Sequence, residues 1–236
     1  MNKSILTLSA AMLLIVASCS KSKDEPTDEQ LQDCLTSEVL IDGSTDFFTH
    51  DQNGNVLTWT HDGGLDKRTY TYNNATITMR TTGVYSETYQ LSQGRINSSD
   101  YYKYSYNKDG YLTEVRNEVT NGNTIKVNST RLTWTSGNLT KTEELQDNNV
   151  VGTTTFEYSN ETRPSNYIDY GFGIPYDSNL AKYFGKQSKN LISKVTSPNI
   201  DPLSFKYSKD ANGNVTKVTT TSVGYEDILE YKYKCK

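Results

Sequence analysis

The sequence predicts an all-β fold, an antiparallel meander of hairpins curled toward a barrel, and three observations carry that prediction. The 236 residues are 34% hydrophobic and 22% charged, with 18 Tyr and 15 Gly. That apolar share is too small for a helix-packed α/β enzyme or a membrane-spanning helical bundle, while the abundance of Tyr and Thr separates the chain from disordered sequences. Aromatic residues two apart repeatedly precede turn strings containing Asn-Gly or Asp-Gly, which supply the positive φ that tight hairpins need. Thr, Lys and Glu fill alternate positions of the flanking runs, so one sheet face is wet and Tyr and Leu supply the other. A single curled sheet suits this better than a packed sandwich.

From the N-terminus, Met1-Asn2-Lys3 is a short positive region and Ile5 to Ala17 is apolar, too short for a membrane span and right for an export signal. The string Val16-Ala17-Ser18-Cys19 resembles a bacterial lipobox. The resemblance implies that residues 1–18 are a lipoprotein signal peptide, that cleavage precedes Cys19, and that Cys19 is lipidated, holding the protein on a membrane without a transmembrane helix. Ordinary secretion with an incidental Cys19 is the alternative. Residues 19–30 are charged, lack aromatics and contain Pro26, as a flexible tether would. Lysine followed by acidic residues here also resembles the surface-export signal of Bacteroidota lipoproteins, which implies an outer-membrane, cell-surface location; a plain solvated linker is the alternative. The formal net charge of −4 argues against nucleic acid as a partner.

Residues 31–236 are expected to form one β domain. Cys34 stands ahead of the first strand-like run and Cys235 ends the last. In an oxidising compartment a Cys34–Cys235 disulfide is the simplest use of the pair, with free thiols or a metal pair as alternatives. If the sheet curls until its ends are neighbours, their Cα atoms must come within about 7 Å; in a linear array they would lie tens of Å apart.

The clearest repeat copies turn at Asp51-Gln52-Asn53-Gly54, Asn107-Lys108-Asp109-Gly110 and Asp210-Ala211-Asn212-Gly213, with weaker copies at Gln93-Gly94, Asn121-Gly122 and Ser136-Gly137. Counting flanking runs gives about a dozen strands. The unit, aromatic-x-aromatic, polar turn, Gly, then spaced aliphatics, resembles the tyrosine–aspartate (YD/RHS-like) repeats of bacterial surface shells. Together with the lipobox and the string Tyr183-Phe184-Gly185-Lys186-Gln187-Ser188-Lys189-Asn190-Leu191-Ile192, it looks like a Bacteroidota surface lipoprotein family of unknown function with a porin-like β fold. That resemblance implies an architecture and carries no catalytic residues.

Residues 162–202 break the rhythm, with Pro164, Pro175, Pro198 and Pro202 among Tyr167, Tyr170, Phe172, Tyr176, Tyr183 and Phe184. Ser178 is placed to cap a short helix over 179–184 that Gly185 ends. The insertion reads as a plug completing the core at one end of the sheet, or as a ligand site lined by Tyr167, Tyr170 and Tyr176.

Catalytic constellations are absent from the sequence: His50 and His61 are the only histidines and accompany no metalloprotease, nucleophile-elbow or phosphate-loop motif. The turns at Asp51 and Asp210 match a calcium loop poorly, and Glu143-Glu144 point to opposite strand faces. No cofactor and no metal are expected. The reading is a non-enzymatic surface lipoprotein that binds or scaffolds, with Trp59 and Trp134 as candidate stacking surfaces for a glycan or another surface protein. A glycan-active hydrolase whose carboxylates converge only in the fold is the alternative.

Overall fold

The structure is a computed structural model that describes residues 34–235 apart from 65, 84, 122, 123, 170–175 and 199. Cys19, the tether, Tyr170 and Phe172 therefore lie outside the described residues. Sixteen strands form a single closed antiparallel barrel, each bonded to its neighbours in sequence and the last to the first. They are β1 (Cys34–Ile41), β2 (Ser44–His50), β3 (Val56–His61), β4 (Asp66–Tyr72), β5 (Thr76–Thr81), β6 (Tyr85–Ser92), β7 (Arg95–Ser98) and β8 (Lys103–Tyr106). There follow β9 (Leu112–Asn121), β10 (Thr124–Thr135), β11 (Asn138–Gln146), β12 (Asn149–Thr162), β13 (Asn190–Ser197), β14 (Ile200–Lys209), β15 (Val215–Ser222) and β16 (Tyr225–Cys235). The meander curled toward a barrel is thus what forms, with more strands than a dozen. Strands as short and polar as β7 and β8 carry little hydrophobic pattern of their own and pair because longer neighbours hold them.

Hairpins alternate ends. The turns leaving odd-numbered strands gather at one rim, here the far rim. The turns leaving even-numbered strands, the segment joining β12 to β13, and both Cys34 and Cys235 gather at the other, the plug rim. Closure is made by β1 and β16, whose register runs from Cys34 opposite Cys235 to Ile41 opposite Leu229. The two cysteines form a disulfide with Cα atoms 3.9 Å apart, inside the range demanded by the curled arrangement. Sequence ends and sheet edges are protected together.

Each wall strand sends alternate side chains inward. In β16 Leu229 and Tyr231 are buried while Glu230, Lys232 and Lys234 are exposed; in β14 Phe205 is buried between exposed Ser204 and Lys206. A ring of sixteen strands encloses more space than its own side chains fill. Into that space pack described residues of the stretch between β12 and β13, among 163–169 and 176–189, a narrower span than 162–202 because 190–202 supply β13 and the start of β14. Leu180 and Phe184 are 0% and 1% exposed and belong to the same apolar core as the wall residues. Phe184 stacks on Tyr176 at 4.6 Å, tilts against Tyr104 at 5.0 Å and meets Tyr89 edge-on at 6.3 Å. The expected helix is a 3-10 turn over Ser178–Tyr183, and its cap is Asp177, which accepts the Asn179 N–H from an extended backbone, one residue ahead of Ser178.

The repeat has a structural meaning at the plug rim. Asp51, Asn107 and Asp210 each turn a side-chain oxygen onto two backbone N–H groups, two and four residues on, at 2.8–3.0 Å, while Gly54, Gly110 and Gly213 take positive φ. The aromatics of the repeat do the complementary work. Tyr72 donates to Val56 O, Tyr106 to Ile96 O, Trp134 Nε1 to Leu112 O, Tyr158 to Leu139 O and Tyr233 to Val215 O, all at 2.6–2.8 Å. Each bond ties an aromatic tip on an even-numbered strand to a carbonyl at or next to the start of the strand just before it. The result is an inner girdle in which large apolar bodies fill the barrel and their polar tips satisfy its backbone.

Candidate functional site

The plug rim is largely filled by the plug, with a recess of about 360 Å³ beside the disulfide lined by Leu35, Phe48, His50 and Cys235. Asn55 and Asn214, both buried, anchor the plug by accepting from Tyr183 OH at 2.7 Å and from Asn166 Nδ2 at 2.8 Å. Burial works to raise the Asp51 and Asp210 carboxyls, but hydrogen bonds from Asn53 and Asn55 on one, and from Asn212, Gly213 and Asn214 on the other, outweigh it and hold both low. Their oxygens are engaged by N–H donors, which leaves the calcium-loop resemblance without free ligands. Among the described residues no group of three or more His, Cys, Asp or Glu gathers as a metal cage.

The residues singled out from sequence fall mostly inside this frame. Tyr167 is buried at 6% exposure against Tyr207 and Tyr231. Tyr176 stacks on Phe184 and donates to Gln187 Oε1 at 2.6 Å. Trp134 belongs to the girdle, with Tyr111 over it at 4.7 Å. Trp59 is half-buried, with the Arg68 guanidinium 4.8 Å above its ring and His61 stacked beside it. A ligand at Tyr167, Tyr176 or Trp134 has to displace packing that the barrel uses.

Two polar clusters lie on the lumenal face. His61 Nδ1 meets the buried Asp46 at 2.7 Å, and this hydrogen bond holds the imidazole pKa above its ordinary value. Deeper in, Glu87 accepts from Tyr85 and Tyr89 at 3.0 and 2.9 Å, while Asp177 accepts from Tyr70 at 2.9 Å and is pushed up by burial. These two carboxylates are enclosed among tyrosines of the packed interior and line none of the recesses at the far rim.

The far rim is different in kind. Of the twelve large hydrophobic side chains exposed among the described residues, ten sit at or beside its turns: Leu40, Tyr85, Tyr101, Tyr102, Val119, Val150, Val151, Ile200, Val223 and Tyr225. Only Phe47 and Leu57 lie elsewhere. The turns of the plug rim present Gln52, Asn53, Asn73, Gln93, Lys108 and Asn212 instead. At the β8 to β12 side of the far rim the wall opens into a recess of about 490 Å³, lined by Tyr102, Asn117, Asn128, Thr130, Glu144 and Gln146, with Val115 and Val119 beside them. Register places these on one face: Thr130 is opposite both Val115 and Glu144, and Asn128 opposite both Asn117 and Gln146. Asn117 Oδ1 is buried and accepts no hydrogen bond from the protein. Tyr102 also lines a neighbouring recess of about 340 Å³ with Ser98, Asp100 and Arg116, and Tyr101 stacks on Tyr85 at 6.0 Å beside it. None of these tyrosines was singled out by sequence reasoning, because Tyr101-Tyr102 reads there as one more aromatic pair in a Tyr-rich chain.

The comparisons agree with the barrel. A crystal structure of a porin-like protein from Bacteroides uniformis is similar over 85% of this chain and 95% of its own, with a TM-score of 0.61 at 16% identity. A porin-like protein from Bacteroides vulgatus is similar over 86% and 99%, with a TM-score of 0.54 at 14% identity. At such identities the likeness concerns the fold. No curated protein matches the chain in sequence. The model of a domain of unknown function with porin-like fold, DUF4595, matches residues 45–217, most of the barrel, and the chain belongs to that family.

Proposed function

We propose that this protein is a lipid-anchored, surface-exposed outer-membrane lipoprotein whose barrel stands in water as a non-enzymatic binding module, presenting its far rim to a partner. The observation that carries the reading is the one-sided distribution of exposed apolar side chains, ten at the far rim against polar turns at the plug rim. Exposed apolar surface gathered in one place marks interaction sites. Cys34 lies at the plug rim, so the chain enters the barrel at that end.

The wall supports a barrel outside the bilayer. A barrel embedded in lipid turns an apolar band outward and a polar surface inward. Here the inward positions are chiefly Tyr, Leu, Val, Ile and Phe, and the exposed wall positions are chiefly Thr, Ser, Lys, Glu and Arg, as in Lys67, Arg80, Lys103, Arg131, Thr133, Glu157 and Lys206. The plug and the girdle fill much of the lumen that a channel would leave as water. The likeness to porins is thus one of strand count and closure, with the polarity reversed. Against the hydrolase reading, the larger far-rim recess holds one carboxylate, Glu144, where glycoside hydrolysis uses two.

Metabolic palmitate labelling of the protein and of Cys19→Ala, combined with protease added to intact cells, tests the anchor and the display. Label lost in the variant and barrel digestion without cell lysis are expected. An unlabelled, protease-protected wild type would overturn the reading.

A further inference from the structure

We infer that the larger far-rim recess, on the inward face of β9, β10 and β11 with Tyr102 at its edge, is a binding site for a neutral oligosaccharide. The inference rests on the binding-module reading and adds a ligand class to it. Three features converge. The larger recess, about 490 Å³, is lined by three amide side chains, Asn117, Asn128 and Gln146, by the Thr130 hydroxyl and by a single charge, Glu144; no Lys or Arg lines it. Amides and hydroxyls both donate and accept, which suits ligands that are dense in hydroxyl groups and carry no charge. The smaller recess, about 340 Å³ and lined by Lys103, Arg116, Asp100 and Glu118, lies on the outward face of the wall, since Arg116 and Glu118 alternate with Val115 and Asn117 along β9. The larger recess thus offers none of the cations that a polyanion requires, and the chain is net acidic.

The second feature is the aromatic edge of the recess. Tyr102 is 40% exposed, Tyr101 52% and Tyr85 36%, and the last two stack at 6.0 Å. Exposed rigid aromatic faces supply apolar contact area at small entropic cost, and they fit the apolar C–H faces of sugar rings. The third feature is Asn117 Oδ1, enclosed at the larger recess without a hydrogen-bond donor from the protein. A buried acceptor left unmatched is costly, and a ligand hydroxyl there supplies the donor.

The test uses the chain from Ser20 onward, titrated calorimetrically with cellohexaose, xylohexaose, mannohexaose and maltohexaose, and with polygalacturonate as the acidic control. Saturable binding of at least one neutral hexasaccharide is expected, weakened about tenfold or more in Tyr102→Ala, which amounts to at least about 1.4 kcal/mol. Asn117→Ala, checked for an unchanged thermal midpoint, should weaken it in the same direction. Tyr225→Ala, at the same rim outside both recesses, should bind as the wild type does. Absence of saturable binding, preference for polygalacturonate, or binding indifferent to Tyr102→Ala would overturn the inference; the last would place the ligand on another part of the rim. The cell-surface assay reads anchor and display alone, so its failure with saccharide binding intact would sink the display and leave the recess standing.

Discussion

Gly185 lies so close to the carbonyl of Gly110 that a Cβ at residue 185 would collide with that oxygen, and the next N–H, of Lys186, donates to it at 3.0 Å. One contact thus ends the short helix of the plug and ties the plug to the β8–β9 turn. Gly185 also has φ +83. Gly185→Ala should therefore destabilise by about 2–4 kcal/mol, combining the left-handed backbone with a clash against main chain. Gly224→Ala is the control: φ is +70 but nothing lies within 4 Å, so it should cost about 1–2 kcal/mol. Urea midpoints of the two variants measure the difference. Equal midpoints would mean that the plug is not held through this contact.

The disulfide sits on a seam already closed by backbone pairing from Cys34–Cys235 to Ile41–Leu229. Reduction, or Cys34→Ser with Cys235→Ser, should lower stability by about 2–4 kcal/mol while the barrel stays closed. Calorimetry with and without reductant gives the loss, and an unchanged far-ultraviolet circular dichroism spectrum before melting shows closure. A spectrum that collapses on reduction would assign closure to the disulfide alone.

Removing one girdle hydroxyl leaves the ring in place and orphans a carbonyl. Tyr72→Phe, Tyr158→Phe and Tyr233→Phe should each cost about 1 kcal/mol. Tyr72 and Tyr158 bond to different carbonyls, Val56 O and Leu139 O, in separate hairpins, so the double variant should cost about 2 kcal/mol. Denaturant titration checks both figures.

The two histidines should titrate in opposite directions. His61 is raised above 6.5, first by its hydrogen bond to Asp46, whereas His50 is lowered, first by burial and then by Lys182. A raised folded-state pKa means that the stabilisation from the His61–Asp46 pair is complete below the unfolded-state value and is lost as pH rises through the folded one. For His50 the sign reverses, and its contribution is present at higher pH and lost as pH falls through its depressed value. Proton NMR of the ring Cε1–H signals from pH 5 to 8.5 resolves the order. His50 titrating above His61 would contradict both environments.

What the sequence determined by itself is local or topological. The turn residues Asp51, Asn107 and Asp210 with their glycines are readable because an Asx side chain caps the N–H groups two and four places on, whatever surrounds it. The hairpin order and the curl followed from repeats without crossovers, and the cysteine pairing from an expectation of export with one cysteine ahead of the first strand run and one at the end of the last. Tertiary structure alone decided which aromatic tip meets which carbonyl. Tyr72 reaches Val56, 16 residues back, because shear between neighbouring strands sets that pairing, and nothing in either residue's neighbourhood encodes it. It also decided the fate of the tryptophans and plug tyrosines. A Tyr in a Tyr-rich strand looks the same whether it is bound for the girdle, as Tyr158 is, or for the rim, as Tyr102 is. The far rim was invisible for a related reason. Val119, Val150, Ile200, Val223 and Tyr225 are scattered through more than a hundred residues and read singly as strand ends. Alternating hairpins in a closed ring bring every second turn to one end, and only that closure turns isolated apolar residues into one surface.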